Sequence, residues 1–152
     1  MPPNPIIVNK RGDVFAAFHR CQEESIPAHL CPITHALIVV TQGDKNLLLF
    51  NVWKKHWELP GGIREEGETP RECALRELEE ETNQKVTDAE FRGVMEFRLQ
   101  PDHRTEFGAL YRATLMEPRP FQANSEASEI VFWDGVSDIG DVERIDAELL
   151  DY

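Results

Sequence analysis

Between Gly61 and Val86 the chain reads GGIREEGETPRECALRELEEETNQKV, a loop followed by a helix whose two ends are both marked. Gly61, Gly62 and Gly67 bracket an irregular run in which tight backbone turns cost little. Thr69-Pro70-Arg71-Glu72 then reads as a capping box with proline at the first helical position, so the helix starts near Thr69. It stops near Asn83, because asparagine tolerates the left-handed conformation that closes helices. At about 100° per residue, Ala74, Leu75 and Leu78 form an apolar face beside a second face carrying Glu77, Glu80 and Glu81, and Glu79 points roughly 160° away from Glu77.

Glu77, Glu80 and Glu81 recur at i, i+3, i+4, which sets their carboxylates close enough to repel unless a cation sits among them. Oxygen-only donors of this kind suit Mg²⁺ or Mn²⁺. A solvated acidic face is the ordinary alternative in an acid-rich chain, and a charge run alone does not decide between the two.

The spacing extends beyond the glutamates. Gly62 is followed by five residues and Glu68, then by seven residues and Arg76-Glu77-Leu78-Glu79-Glu80-Glu81. This stretch resembles the box of the Nudix hydrolases, G-x5-E-x7-R-E-U-x-E-E-x-G-U with U apolar. It departs from that pattern at its end, where Asn83 replaces the last glycine and Gln84 the final apolar residue. Asn83 can adopt the same backbone conformation, and Val86 is placed to supply the core contact that Gln84 lacks. The preceding Trp57-Glu58-Leu59-Pro60-Gly61 is similar to the strand and turn that lead into such a box.

The remaining chain is compatible with the fold that this resemblance implies, an α/β/α sandwich with a central mixed β-sheet. A length of 152 residues with 41% hydrophobic content suits a single domain, with residues 1–30 as an N-terminal extension or edge strand and residues 62–84 as the box. Met1 to Pro5 are expected to be extended, and Val14 to Phe18 to form a short strand. Ala36 to Val40 and Asn46 to Val52 read as a hairpin around Thr41 to Lys45. Phe91 to Leu99, Phe107 to Leu115 and Ile130 to Trp133 read as further strands, and Asp141 to Leu150 as a short C-terminal helix.

A formal net charge of −12 argues against duplex nucleic acid or an anionic membrane as partner, since both are bound through Lys and Arg. The expected partner is a small nucleotide, and the chain reads as soluble and cytoplasmic, with monomer and homodimer left open. Cys21, His29, Cys31 and His35 lack the pair spacing of a zinc site, and an odd count of three cysteines fits a reducing compartment.

The resemblance implies metal-dependent hydrolysis of a pyrophosphate bond, with Mg²⁺ or Mn²⁺ as cofactor. It assigns Glu77, Glu80, Glu81 and a backbone carbonyl from Gly61 or Gly62 as metal ligands, and Glu80 or Glu81 as the group that orients or deprotonates water. Arg76 and Glu68 are implied as the supporting pair. A further carboxylate outside the box is expected from Glu129 first and Glu126 second. Lys54, Lys55 and Arg64 are candidates for phosphate contacts, and Trp57, Phe97 and Phe107 for stacking on a base. Neither the downstream proline of ADP-ribose enzymes at its expected spacing nor the tyrosine of the dinucleoside-polyphosphate group is found, so a MutT-like nucleoside-triphosphate pyrophosphohydrolase is the first expectation. ADP-ribose or sugar-nucleotide hydrolysis is the alternative, and a non-catalytic nucleotide-sensing module is the rival of another class.

Overall fold

The computed structural model describes residues 5–152, so the extended start expected for Met1 to Pro5 lies, but for Pro5 itself, outside the described residues. In chain order the elements are β1 (Ile7–Val8), β2 (Val14–His19), β3 (Ile33–Gln42), β4 (Lys45–Asn51), β5 (His56–Glu58), β6 (Gly61–Ile63), α1 (Pro70–Thr82), β7 (Glu90–Leu99), β8 (Arg104–Thr114), β9 (Ala127–Trp133) and α2 (Arg144–Leu149). The strands join in the order β1-β2-β7-β8-β3-β4-β5, with β6 added to β3 and β9 to β4. The sheet is mixed because β3 runs parallel to β8 while its hairpin partner β4 is antiparallel to it.

The placement of the site follows from a split in this sheet. β3 and β4 pair at Thr41↔Asn46 and Gln42↔Lys45, around a tight Gly43-Asp44 turn in which Gly43 takes φ +62°. Beyond that turn the strands separate. The freed edge of β3 takes up β6, at His35↔Ile63, Ala36↔Gly62 and Leu37↔Gly61. β4 takes up β5 through Leu49↔Glu58, Phe50↔Trp57 and Asn51↔His56. The segment from His56 to Ile63 therefore crosses the opening, and its two glycines are required there. A Cβ on Gly61 would collide with the Ala36 carbonyl, and one on Gly62 would lie 2.6 Å from Glu77 Cδ.

Strand alternation sorts the core into two faces. Ala36, Ile38 and Val40 of β3, Leu47 of β4 and Ala109, Tyr111 and Ala113 of β8 pack with Cys73, Ala74 and Leu78 of α1. Val39, Leu48 and Leu110, the residues between, join Phe15, Trp57, Leu59, Met95 and Phe97 under Ile145 and Leu149 of α2. Helix, sheet and helix thus form three layers, the α/β fold expected from the alternation of elements. Each fully buried leucine in these faces contributes roughly 1.5–3 kcal/mol. Among the described residues, no helix is long and apolar enough to cross a membrane.

Both ends of α1 are as the local sequence dictates. Thr69 accepts from the Glu72 backbone N–H, Glu72 reaches back to the Thr69 N–H, and Asn83 closes the helix at φ 60°. Strand limits differ more. β8 starts at Arg104, not Phe107, and β9 at Ala127, not Ile130, because ladder pairing at Leu99↔Arg104 and Asn51↔Ala127 carries the strands into polar residues that an apolar period does not mark. Gln84, the residue out of place in the box, is fully buried. Its side-chain amide donates to Arg119 O at 2.7 Å and accepts from Arg119 N at 2.8 Å, so it fastens the segment after β8 to the end of α1 while Val86 fills the core.

Candidate active site

At the split, carboxylate oxygens of Glu58, Glu81 and Glu126 lie within 4.8 Å of one another. They come from three separate parts of the chain: Glu58 from the end of β5, Glu81 from the last turn of α1, and Glu126 from the residue before β9. Glu81 is buried and accepts from the Gly61 backbone N–H at 2.8 Å. Burial foremost, with the neighbouring Glu126, Glu77 and Glu58, raises its pKa to about 9 against the lowering effect of the Gly61 amide. Three hard oxygen donors, one of them held largely neutral by burial, form a donor set that fits a divalent cation such as Mg²⁺ or Mn²⁺.

The other box carboxylates belong to Arg76. Its Nε and Nη2 grip Glu68 at 2.6 and 3.0 Å, while Nη1 reaches Glu77 at 2.9 Å and Glu80 at 3.1 Å, and Nη2 also donates to Ile63 O. Such a bidentate fork is the strong form of a charge pair. Arg76 therefore holds Glu68 down to about pKa 2, and its own pKa is raised chiefly by Glu68. Glu77, half-buried against Gly62, is pushed up by burial and pulled back by Arg76. Of Glu68, Glu77, Glu80 and Glu81, Glu80 is the most open, with 59% of its side chain exposed.

A cleft of about 410 Å³ opens beside Glu58, Gly61 and Gly62 on the face covered by α2. Arg11, Lys54 and Arg104 supply its positive charge, and Leu37, Leu59, Phe97 and Leu99 its apolar surface. His35 lies on the cleft with its ring 5.3 Å from that of Phe97, over Gly108, where a Cβ would meet Nε2. Thr34 Oγ1 donates to Phe107 O and so is left to accept from His35 Nδ1 at 3.0 Å, which leaves Nε2 unprotonated. Burial lowers the His35 pKa to about 4, so the ring is neutral near neutral pH.

Several expected site residues are placed elsewhere. Glu129 is exposed on β9 opposite Phe50, beyond a register shift that separates it from Ala127, and it is not among the carboxylates that converge with Glu126. Trp57 is buried in the α2-side core, its indole donating to Ile139 O at 2.8 Å, and offers no stacking face. Lys54 lines the cleft, whereas Lys55 is exposed on the turn at φ 59° and Arg64 donates to Glu68 O. The Gly62 carbonyl accepts from Cys73 Sγ at 3.3 Å, and it is the Gly61 amide that touches Glu81. Phe97 keeps contact with the cleft, while Phe107 packs on the α1-side core. Of the Cys and His residues tested for zinc, His35 belongs to the cleft and exposed Cys31 donates to Pro27 O. Glu58 was not singled out beforehand. Its signal was its position, two residues after His56 on a strand leading into the glycines, with no neighbour in sequence to show the partners it meets.

These features define a class: a three-layer α/β sandwich with a cluster of three carboxylates set in a sheet split beside a cleft. A NUDIX domain profile matches residues 32–152, and the chain belongs to the Nudix family of hydrolases. It is 37% identical over 89 residues to mouse Nucleoside diphosphate-linked moiety X motif 6, covering 57% of this chain and 26% of that protein. It is 36% identical over 66 residues to the Bacillus subtilis (strain 168) protein named Uncharacterized Nudix hydrolase YvcI, covering 43% of this chain and 42% of that one. The chain thus spans less than half the length of these relatives. Among solved structures, a MutT NUDIX hydrolase from Burkholderia pseudomallei superposes with a TM-score of 0.68 at 15% identity, covering 80% of this chain and 97% of that one. The Bacillus subtilis pyrophosphohydrolase BsRppH superposes at 0.66 and 18% identity, covering 88% and 79%. At these identities the likeness is one of fold.

Proposed function

We propose that the chain is a divalent-cation-dependent hydrolase of the pyrophosphate bond in a nucleoside triphosphate or related nucleoside diphosphate derivative, acting in the MutT-like manner to release a nucleoside monophosphate and pyrophosphate. The observation that carries this reading is the convergence of Glu58, Glu81 and Glu126 within 4.8 Å, with Glu58 also lining a cleft that presents Arg11, Lys54 and Arg104. The Burkholderia pseudomallei and Bacillus subtilis proteins that share this fold are named a MutT NUDIX hydrolase and a pyrophosphohydrolase, names in keeping with this reading.

Glu58, Glu81 and Glu126 would hold the cation. Mg²⁺ or Mn²⁺ bound there supplies charge neutralisation at the phosphates and a more acidic water. The Gly61 amide fixes one Glu81 oxygen and so orients the carboxylate across the split. Arg76 keeps Glu77 and Glu80 in place on the same helix face. Glu80, whose oxygens are open to solvent but for the Arg76 bond, is the group to take a proton from the attacking water. Lys54, Arg11 and Arg104 bind the charged end of the substrate, and the half-buried Leu37 and Leu99 receive its base or sugar.

The test is a panel of unmodified and oxidised nucleoside triphosphates, ADP-ribose, sugar nucleotides and dinucleoside polyphosphates, with products resolved by chromatography. Monophosphate and pyrophosphate from a triphosphate support the proposal. Nucleotide binding without any product across the panel would favour a sensing module.

A further inference from the structure

Two of the three converging carboxylates lie outside the box, and neither is placed by the helix that carries Glu81. Each is tied down by an asparagine. Asn51, at the end of β4 and 1% exposed, donates from Nδ2 to Glu58 Oε2 at 3.2 Å. Its Oδ1 accepts from the backbone N–H of Trp53 at 2.9 Å and of Lys54 at 3.0 Å, which shapes the β4–β5 turn. His56 meets the other Glu58 oxygen at 2.8 Å, so Glu58 is gripped from both sides. Asn124 repeats the pattern before β9. Its Oδ1 accepts from the N–H of Glu126 and Ala127 at 3.0 and 2.8 Å, and its Nδ2 donates to Glu81 O at 3.0 Å and Glu80 O at 3.4 Å.

The two asparagine loops are also joined to each other. Val52 N donates to Glu126 O at 2.9 Å, and the Trp53 indole donates to Ser125 O at 2.8 Å. A path of hydrogen bonds, joined by the peptide link between Val52 and Asn51, thus runs from the C-terminal turn of α1 through Asn124, Glu126, Val52 and Asn51 to Glu58. Backbone caps of this kind shape many loops; here each asparagine also has an amide half directed at the acid centre or its helix, a bond the loop alone does not require.

We propose that Asn51 and Asn124 are positioning residues for the cation centre, Asn51 acting through Glu58 and Asn124 through Glu126. This rests on the reading of Glu58, Glu81 and Glu126 as cation ligands. Outer partners that orient ligands of this kind typically change metal affinity by about 10–100-fold when removed.

The experiment is Mn²⁺ affinity, read from the paramagnetic resonance of free Mn²⁺ without substrate, in two double-mutant cycles: Asn124→Ala with Glu126→Gln, and Asn51→Ala with Glu58→Gln. Asn51→Ala loses the donor to Glu58 without adding a charge beside the cation. Thermal melting of each variant establishes that it is folded. Each single substitution is expected to weaken Mn²⁺ by about tenfold, and each double to be no weaker than its glutamate single, since both act through one ligand. Additive losses, or asparagine variants that bind Mn²⁺ as the parent does, would overturn the proposal. Glu81→Gln is the separate control: if it too leaves Mn²⁺ binding intact, the centre itself is wrong, whereas its loss with unaffected asparagine variants sinks the positioning claim alone.

Discussion

Glu81 and His35 show burial acting on two titratable groups with opposite sign, since it keeps the carboxyl protonated and the imidazole unprotonated. For His35 the consequence is a pH dependence of stability. Its folded pKa of about 4 lies below the ordinary 6.5, so the unfolded chain binds the extra proton between those values, and stability present above pH 6.5 is lost as pH falls through that window. Urea unfolding at pH 7 and pH 5 is expected to show about 2 kcal/mol of this loss in the parent and to show it missing in His35→Gln. A second prediction concerns Gly62. A Cβ there would lie 2.6 Å from Glu77 Cδ, so Gly62→Ala displaces a carboxylate while the strand pairing survives. Turnover is expected to fall by about a hundredfold, as for other small misplacements at reacting centres, with little change in melting temperature. At this scale the sequence showed residue types and spacings within the box. It did not show Glu58 joining Glu81, or Glu126 rather than Glu129 reaching them, because those contacts depend on strand register across the split.

Among the elements, α1 was legible end to end because each signal is local. Thr69 and Glu72 cap each other, and Asn83 takes the left-handed turn whatever the sheet does. Thr69→Ala is expected to cost about 1 kcal/mol in urea unfolding by stranding the first-turn N–H groups, and to leave metal affinity unchanged because Thr69 lies at the far end of the helix from Glu81. The strands were legible as apolar runs but not at their ends. The polar starts of β8 and β9 are held by neighbouring ladders, and β9 begins just after Glu126, so a strand start expected three residues later put Glu129 and not Glu126 beside it. Trp57 shows the same limit: an aromatic beside the box reads as a stacking surface, yet the chain after Ile139 returns and covers it.

At the scale of the whole molecule, the resemblance carried by one loop and one helix implied a three-layer fold, and the two core faces under α1 and α2 have that form. What lay beyond it was the division of the sheet between β3 and β4, which no short stretch encodes. The three carboxylates come from segments that the split brings together, so a cation held by them would be coupled to the assembled fold. Saturating Mn²⁺ is therefore expected to raise the melting temperature of the parent relative to protein in EDTA by a few degrees, an increment of about 2–3 kcal/mol at ~100-fold excess over the dissociation constant, and to do nothing for Glu81→Gln. The most direct test of the central claim is a Mg²⁺ titration of turnover on the best nucleotide substrate, run on the parent and on folded Glu81→Gln. Turnover in the parent is expected to saturate with Mg²⁺ and to vanish in EDTA, and the variant to lose about a thousandfold or more. Undiminished turnover by Glu81→Gln, or by the parent in EDTA, would contradict that claim.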